Sequence, residues 1–249
     1  VSDDVFAPVS TGRLSEEIFD RIRAAIVDGR LRPGDRLPSE RELTERFGVS
    51  RVSVRDALRI LEASGLVEIR VGARGGAFVT VPGPGLVGEG LANMLFLSQV
   101  SALEVTEARV IFELGMLPLV CARATEEDIE ALEEICERSQ AEVDAGTYDV
   151  ELSAEFHRAL AKAAHNRATE LMAGTFYGPL LMSLQQAKAI APEMGQRGVT
   201  EHVALVEAIR ARDADAARDI MLEHLSRTAT RLGLSVDGDI WQTGSRPHA

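Results

Sequence analysis

The stretch from Leu37 to Leu66 limits the possible folds of this chain more than any other. It reads as two helices joined by a tight turn. Ser39 caps the first, and Glu42 three residues on completes a capping box in which two orphan amides are satisfied reciprocally. Leu43 and Phe47 stand four apart and share an inward face. Gly48 stops this helix and Val49 packs in the turn. Ser50 starts the second helix, where Val54, Ala57, Leu58 and Leu61 form one apolar face. Arg51, Arg55 and Arg59, again four apart, occupy the other. One side must be buried and the other must not. That is the geometry of a helix-turn-helix whose second helix enters a DNA major groove. A guanidinium fork bonds a guanine edge bidentately or clamps a phosphate. The competing reading is a solvated arginine face.

The flanks extend the motif. Residues 1–12 read as a loose leader broken by Pro8 and Gly12. A first helix follows over Leu14–Asp28, with Ser15 as its cap and Ile18, Ile22, Ala25 and Ile26 as its buried stripe. Leu66–Arg70 and Ala77–Val81 read as two short strands. Between them the glycine-rich stretch from Val71 to Gly76 forms a wing, whose glycines permit close backbone approach to a phosphate. A plain flexible hairpin is the alternative.

The segments Leu-Pro-Ser-Glu-Arg-Glu-Leu from Leu37, Val-Ser-Arg-Val-Ser-Val-Arg-Asp-Ala-Leu from Val49 and Leu-Glu-Ala-Ser-Gly-Leu-Val from Leu61 resemble the winged helix of GntR-type bacterial transcription regulators. The resemblance implies DNA contacts through Arg41, Ser50, Arg51, Ser53, Arg55 and Gly72. Val52 and Ser53 stand where many relatives have Thr-Pro or Thr-Thr, so no operator sequence carries over.

A net charge of −12 sits badly with DNA binding until it is divided. Residues 1–82 hold 13 Arg, no Lys and 13 acidic side chains, so the whole acidic excess lies beyond them. DNA contact is therefore expected from the first domain alone, and depends on where its arginines point. No apolar run approaches the roughly twenty residues of a membrane span. The start has no basic segment followed by an apolar one, so no signal peptide is expected and a cytoplasmic location is. Cys121 and Cys136 fall in helical patterns and read as small buried apolar residues, not a disulfide.

Pro82-Gly83-Pro84-Gly85 ends the strand region. The expected organisation is a winged helix-turn-helix over 1–81, a linker over 82–86, an all-α bundle over 87–235 and a frayed tail over 236–249. The fold is mainly α: three helices plus a two-stranded wing, then a helical bundle. Helices are expected at Leu86–Leu97, Ala102–Ala124, Glu126–Ala145, Val150–Ala164, Ala168–Ala189, Thr200–Arg212 and Asp213–Leu232. Trp241 has no assigned place, and His248 falls in the tail. His165 ends a helix, where it is expected to sit near the last carbonyls.

His157, His202 and His224 each occupy a helical position flanked by apolar residues. Three imidazoles from three helices, with a carboxylate, suit zinc, nickel or a similar divalent ion. Histidines that are only structural are the alternative. Arg109 lies one turn before Glu113, either as an intrahelical ion pair or as a guanidinium ready to clamp a carboxylate. Asn166 is either a helix cap or a ligand.

Arg109-Val-Ile-Phe-Glu113, Phe156-His157, Asn166, Glu201-His202 and His224 resemble the FCD effector domain of the FadR-like branch of GntR regulators. That resemblance implies a divalent metal held by His157, His202 and His224 with an acidic ligand, here Glu113. It also implies a small organic acid as effector, whose carboxylate reaches the metal, and Arg109 and Asn166 are the candidate effector-binding residues. Many relatives carry Asp four residues before the first of these histidines, where this chain has Ser153.

The function expected is a ligand-responsive regulator that binds a near-palindromic operator as a homodimer. An alternative keeps the regulator without the metal, sensing an acyl-CoA or other apolar ligand. A metal-dependent hydrolase is a third reading. No metalloprotease histidine pair, Gly-x-Ser-x-Gly or phosphate loop is present, so an enzyme is not expected.

Overall fold

In a computed structural model, which describes residues 12–72 and 74–233, the capping signals place the second and third helices, while Ser15, expected to cap the first, lies inside it. Helix α1 spans Gly12–Val27, α2 Glu40–Phe47 and α3 Arg51–Ala63. Ser39 Oγ accepts from the Glu42 amide while the Glu42 carboxylate accepts from the Ser39 amide at 2.8 Å. Gly48 ends α2 in the left-handed region, at φ 67°, where a side chain would be strained. Ile18 and Ile22 of α1, Leu43 of α2 and Val54, Leu58 and Leu61 of α3 close on one core with Val67 and Val79 from the wing. The wing strands, β1 (Val67–Arg70) and β2 (Gly76–Val79), pair antiparallel from Val67↔Val79 to Arg70↔Gly76. The second strand starts one residue earlier and ends two earlier than the alternation suggests, although the Thr80 amide still donates to the Leu66 carbonyl in the same register.

The described residues divide into two units between Leu86 and Val87. Pro84, expected in a linker, is the first residue of α4 (Pro84–Leu97). Its missing N–H would be unsatisfied there in any case. Helices α5 (Ala102–Arg123), α6 (Glu126–Asp144), α7 (Val150–Ala163), α8 (Arg167–Thr175), α9 (Tyr177–Ile190), α10 (Met194–Arg210) and α11 (Ala214–Arg231) follow. Capping boxes Ser101–Glu104 and Thr125–Asp128 start α5 and α6. Leu117, Leu132, Phe156, Leu160, Leu205 and Leu225, from five helices, are fully buried in the main core.

Two elements depart from the sequence reading. The single helix expected over Ala168–Ala189 is two, broken at Phe176. Pro179 fits this break, because it has no amide to give and the carbonyl four residues back belongs to Thr175 at the end of α8, although α5 runs on through Pro118. Helix α10 starts at Met194 and not at Thr200, passing through Gly195. A Cβ on Gly195 would lie 2.7 Å from the Tyr148 ring, so the glycine marks close packing and not a break. Both cysteines are buried and free, and burial pushes the Cys136 thiol up to about 12. No helix among the described residues is long and apolar enough to cross a membrane. Trp241 and His248 lie outside the described residues, as do most of the leader and the tail.

Candidate functional site

The first unit presents its arginines as α3 and its cap dictate. Ser50 Oγ accepts from the Ser53 amide at 3.2 Å and lies 3.0 Å from the Ser53 hydroxyl, so these two residues set the start of α3. Arg51 is exposed and makes no ion pair among the described residues. Arg55 reaches back to α2, where its Nε and Nη2 lie 3.4 and 3.1 Å from the two Glu40 carboxylate oxygens. Arg41 pairs with Glu45 within α2 at 3.0 Å, and Arg59 with Asp56 at 3.6 Å. Gly72, at φ 109°, opens the wing turn, and the Gly75 carbonyl accepts from Arg36. The guanidinium of Arg70 stacks 4.5 Å over Phe78.

In the second unit, α7, α10 and α11 bring His157, His202 and His224 together. All three are buried, and one nitrogen from each lies within 4.8 Å of those of the other two. Ligand nitrogens on one tetrahedral ion stand about 3.4 Å apart. Small side-chain shifts therefore separate this cluster from a metal site. Phe156 stacks on His202 at 4.0 Å with the rings 8° from parallel. Burial drives His202 well below the ordinary histidine range, helped by its His224 and His157 neighbours. It lowers His224 to about 4, although the bond that its ring donates to Glu201 pulls the other way. Both rings are thus neutral at pH 7, the form that donates a lone pair to a metal.

Glu201 orients one of them. Its carboxylate lies 2.8 Å from His224 Nδ1, which turns Nε2 toward the cluster. Arg227 grips the same carboxylate through both terminal nitrogens, and Arg197 adds a contact at 3.3 Å. His202 Nε2 is buried without a hydrogen-bond partner among the described residues, whereas His157 Nδ1 faces Glu113 Oε2. An orphaned buried nitrogen is costly, and a metal or a ligand at the cluster would satisfy it. The donor set fits a divalent ion.

Glu113, expected as the acidic ligand, lies outside the three-histidine cluster. Its Oε1 accepts from Arg109 Nε at 2.9 Å, and its Oε2 comes within 2.6 Å of His157 Nδ1. The α5 backbone sets this: at four residues' spacing Arg109 and Glu113 share a face, and the guanidinium claims the carboxylate first. Burial alone would raise the Glu113 carboxyl, but His157 and Arg109 beside it outweigh that and hold it at about 2. Ser153 is buried one turn before His157 and carries no charge. Arg109 is 1% exposed, sits 3.2 Å from His157 Nε2 through Nη2, and leaves Nη1 unbonded. It lines a narrow cavity with Glu113, His157, Arg158, Phe176 and Tyr177.

Asn166 takes the first of its two readings, and the expectation for His165 changes. Asn166 caps α8, its side-chain oxygen accepting from the Ala168 and Thr169 amides, and it does not line this cavity. His165 leaves the helix-ending carbonyls to Arg123 and reaches Asp128 at 2.6 Å. Its left-handed backbone, at φ 44°, turns the ring away from its own helix. Sequence reasoning gave Phe156 and Glu201 no role beyond the motif they belong to, and did not name Arg227. Each was visible as a neighbour of a chosen histidine, at one residue or at the helical spacing of three, and only packing shows that they face it.

Comparison with known proteins agrees with both halves. Residues 14–79 match the family described as bacterial regulatory proteins, gntR family, and residues 104–227 match the FCD domain. A putative L-lactate dehydrogenase operon regulatory protein of Escherichia coli K12 is 32% identical over 230 residues, covering 88% of this chain and 86% of that protein. The HTH-type transcriptional repressor NanR of Citrobacter rodentium is 30% identical over 227 residues, covering 88% and 85%. The solved structure of Streptococcus agalactiae GntR superposes with a TM-score of 0.64 at 26% identity, over 87% of this chain and 98% of that one. The winged helix-turn-helix, the helical bundle that follows it in sequence and these relatives agree: the chain belongs to the GntR family of bacterial transcription regulators, with an FCD effector domain, and is not an enzyme.

Proposed function

We propose that this regulator binds a near-palindromic operator in the cytoplasm as a homodimer, and that a small organic acid bound beside a divalent metal in the second unit changes its DNA affinity. The observation that carries this reading is the convergence of three buried histidines beside an arginine with an unbonded nitrogen. His157, His202 and His224 would hold the ion, zinc or nickel by donor type. A bound ion supplies a Lewis acid for a carboxylate oxygen. Arg109 supplies the positive charge on the other side, and Glu113 holds that guanidinium in place. The cavity beside them is about 20 Å³, room for about one water, so a compact effector needs less rearrangement than an acyl chain. A small α-hydroxy carboxylate matches that charge and asks for little enlargement of the cavity, and one relative is named for a lactate dehydrogenase operon.

On the DNA side, Arg51 and Arg55 would read base edges, with Arg41, Ser50, Ser53 and Gly72 holding the backbone. A second copy would cover apolar side chains that stand open in the second unit, such as Phe96, Leu97 and Ile111, at 73%, 79% and 71% exposure. A coupling of about 1–3 kcal/mol between effector and operator is enough for a switch.

Elemental analysis of natively purified protein tests the metal, with His202→Ala alongside. About one ion per chain, lost in the variant, is expected. No metal in either protein after divalent ions are added would remove the site and leave the DNA-binding half standing.

A further inference from the structure

The link between Arg55 and Glu40 is unlike the other arginine pairs of the first unit. Arg41 meets an acid four residues along its own helix, and Arg59 one three residues back. Arg55 instead crosses from α3 to the first residue of α2, fifteen positions away, and bonds both oxygens of one carboxylate. The side chains are 57% and 41% exposed. An exposed pair of this kind adds little stability, because water screens it and two long side chains lose freedom. A carboxylate on a DNA-facing surface also repels phosphate. Neither stability nor general affinity explains why it stands there.

Geometry does. The carboxylate occupies Nε and one side of Nη2. That leaves Nη1 and the outer hydrogen of Nη2 as a fork pointing along the side chain, the arrangement that pairs end-on with the O6 and N7 edge of guanine. An arginine held this way has lost the freedom to fold onto a nearby phosphate. We propose that Glu40 is a specificity-determining positioning residue, which holds Arg55 end-on so that it reads a guanine and does not drift to the backbone. The proposal rests on the reading above in which Arg55 faces a base.

The test uses the full chain and a random-sequence DNA duplex library, selected at fixed salt and sequenced. Wild type, Arg55→Ala, Glu40→Gln and Glu40→Ala are run in parallel. Glu40→Ala is included because glutamine keeps one hydrogen bond to the guanidinium. Thermal melting of each variant establishes that it is folded. Arg55→Ala is expected to lose base preference at one position of each half-site. Both Glu40 variants are expected to lose preference at that same position, by roughly five- to a hundredfold. Binding to non-specific duplex should hold or rise, with a salt slope steeper by about one as the freed guanidinium finds a phosphate. If Arg55→Ala alters no position, or wild type selects no sequence, base reading by Arg55 fails and the proposal with it. If Arg55→Ala acts and the Glu40 variants keep full preference there, only the proposal fails. A uniform loss of affinity across all sequences would make Glu40 a brace between α2 and α3, and would overturn it too.

Discussion

Replacing Arg109 with methionine removes a charge from a place where its partner has nowhere to go. Arg109 and Glu113 are 1% and 6% exposed, joined at 2.9 Å, and the carboxylate is held ionised at about 2. Without the guanidinium, Glu113 is left as a buried anion with His157 alone beside it. Breaking a buried pair by removing one partner costs about 3–5 kcal/mol. In a unit of this size each kcal/mol lowers the melting temperature by about 2–4 °C, so a fall of roughly 6–20 °C is expected. Replacing both, as Arg109→Met with Glu113→Leu, removes the charge and its partner together. Such exchanges are neutral or stabilising by about 1–4 kcal/mol. Differential scanning calorimetry at pH 7, which separates the transitions of the two units, measures both variants. On this reasoning the double variant is as stable as wild type and loses its response to small carboxylates in a DNA-binding titration. The pair is then present for binding and not for stability. A shift below about 1 kcal/mol for Arg109→Met alone would refute the account of a buried, mutually dependent pair.

Other outcomes follow from the same geometry. Arg51→Ala should weaken specific DNA binding by about 1–3 kcal/mol with the melting temperature unchanged, measured by titration at fixed salt; unchanged affinity would remove Arg51 from the interface. Gly195→Val should destabilise the second unit by about 1–3 kcal/mol, because even its Cβ would lie 2.7 Å from the Tyr148 ring; an unchanged calorimetric transition would mean that Tyr148 yields without cost. Asp128→Asn should cost about 1 kcal/mol near pH 7, through the α6 cap. Burial opposes ionisation of Asp128, but the Thr125 and His165 bonds win and lower it below 3.8. Its contribution is therefore complete above that value and fades as pH falls beneath it, so the gap between variant and wild type should close in acid; a gap that stays constant down to pH 2 would contradict this linkage.

Local features of this chain are legible in its sequence. Capping at Ser39, Ser50 and Thr125 depends on a side chain and an amide two or three residues away, and each forms as the spacing indicates. The apolar face of α3 and its opposing arginines follow from the helical repeat alone. Pro179 is equally local, yet a proline alone does not mark a helix end, since α5 passes through Pro118 while α8 and α9 are divided.

The site is another matter. His157, His202 and His224 come from helices 45 and 22 residues apart in sequence, and only the register in which α7, α10 and α11 pack brings their rings within 5.4 Å of one another. The same packing decides that Glu201 turns His224 and that Glu113 serves Arg109 and His157, outside the cluster. It also sets Glu40 against Arg55. Periodicity tells which face of a helix is buried, because that depends on neighbours three and four residues away. It does not tell which two buried faces meet, or at what height along their axes, because that is settled by the fit of side chains far apart in the chain.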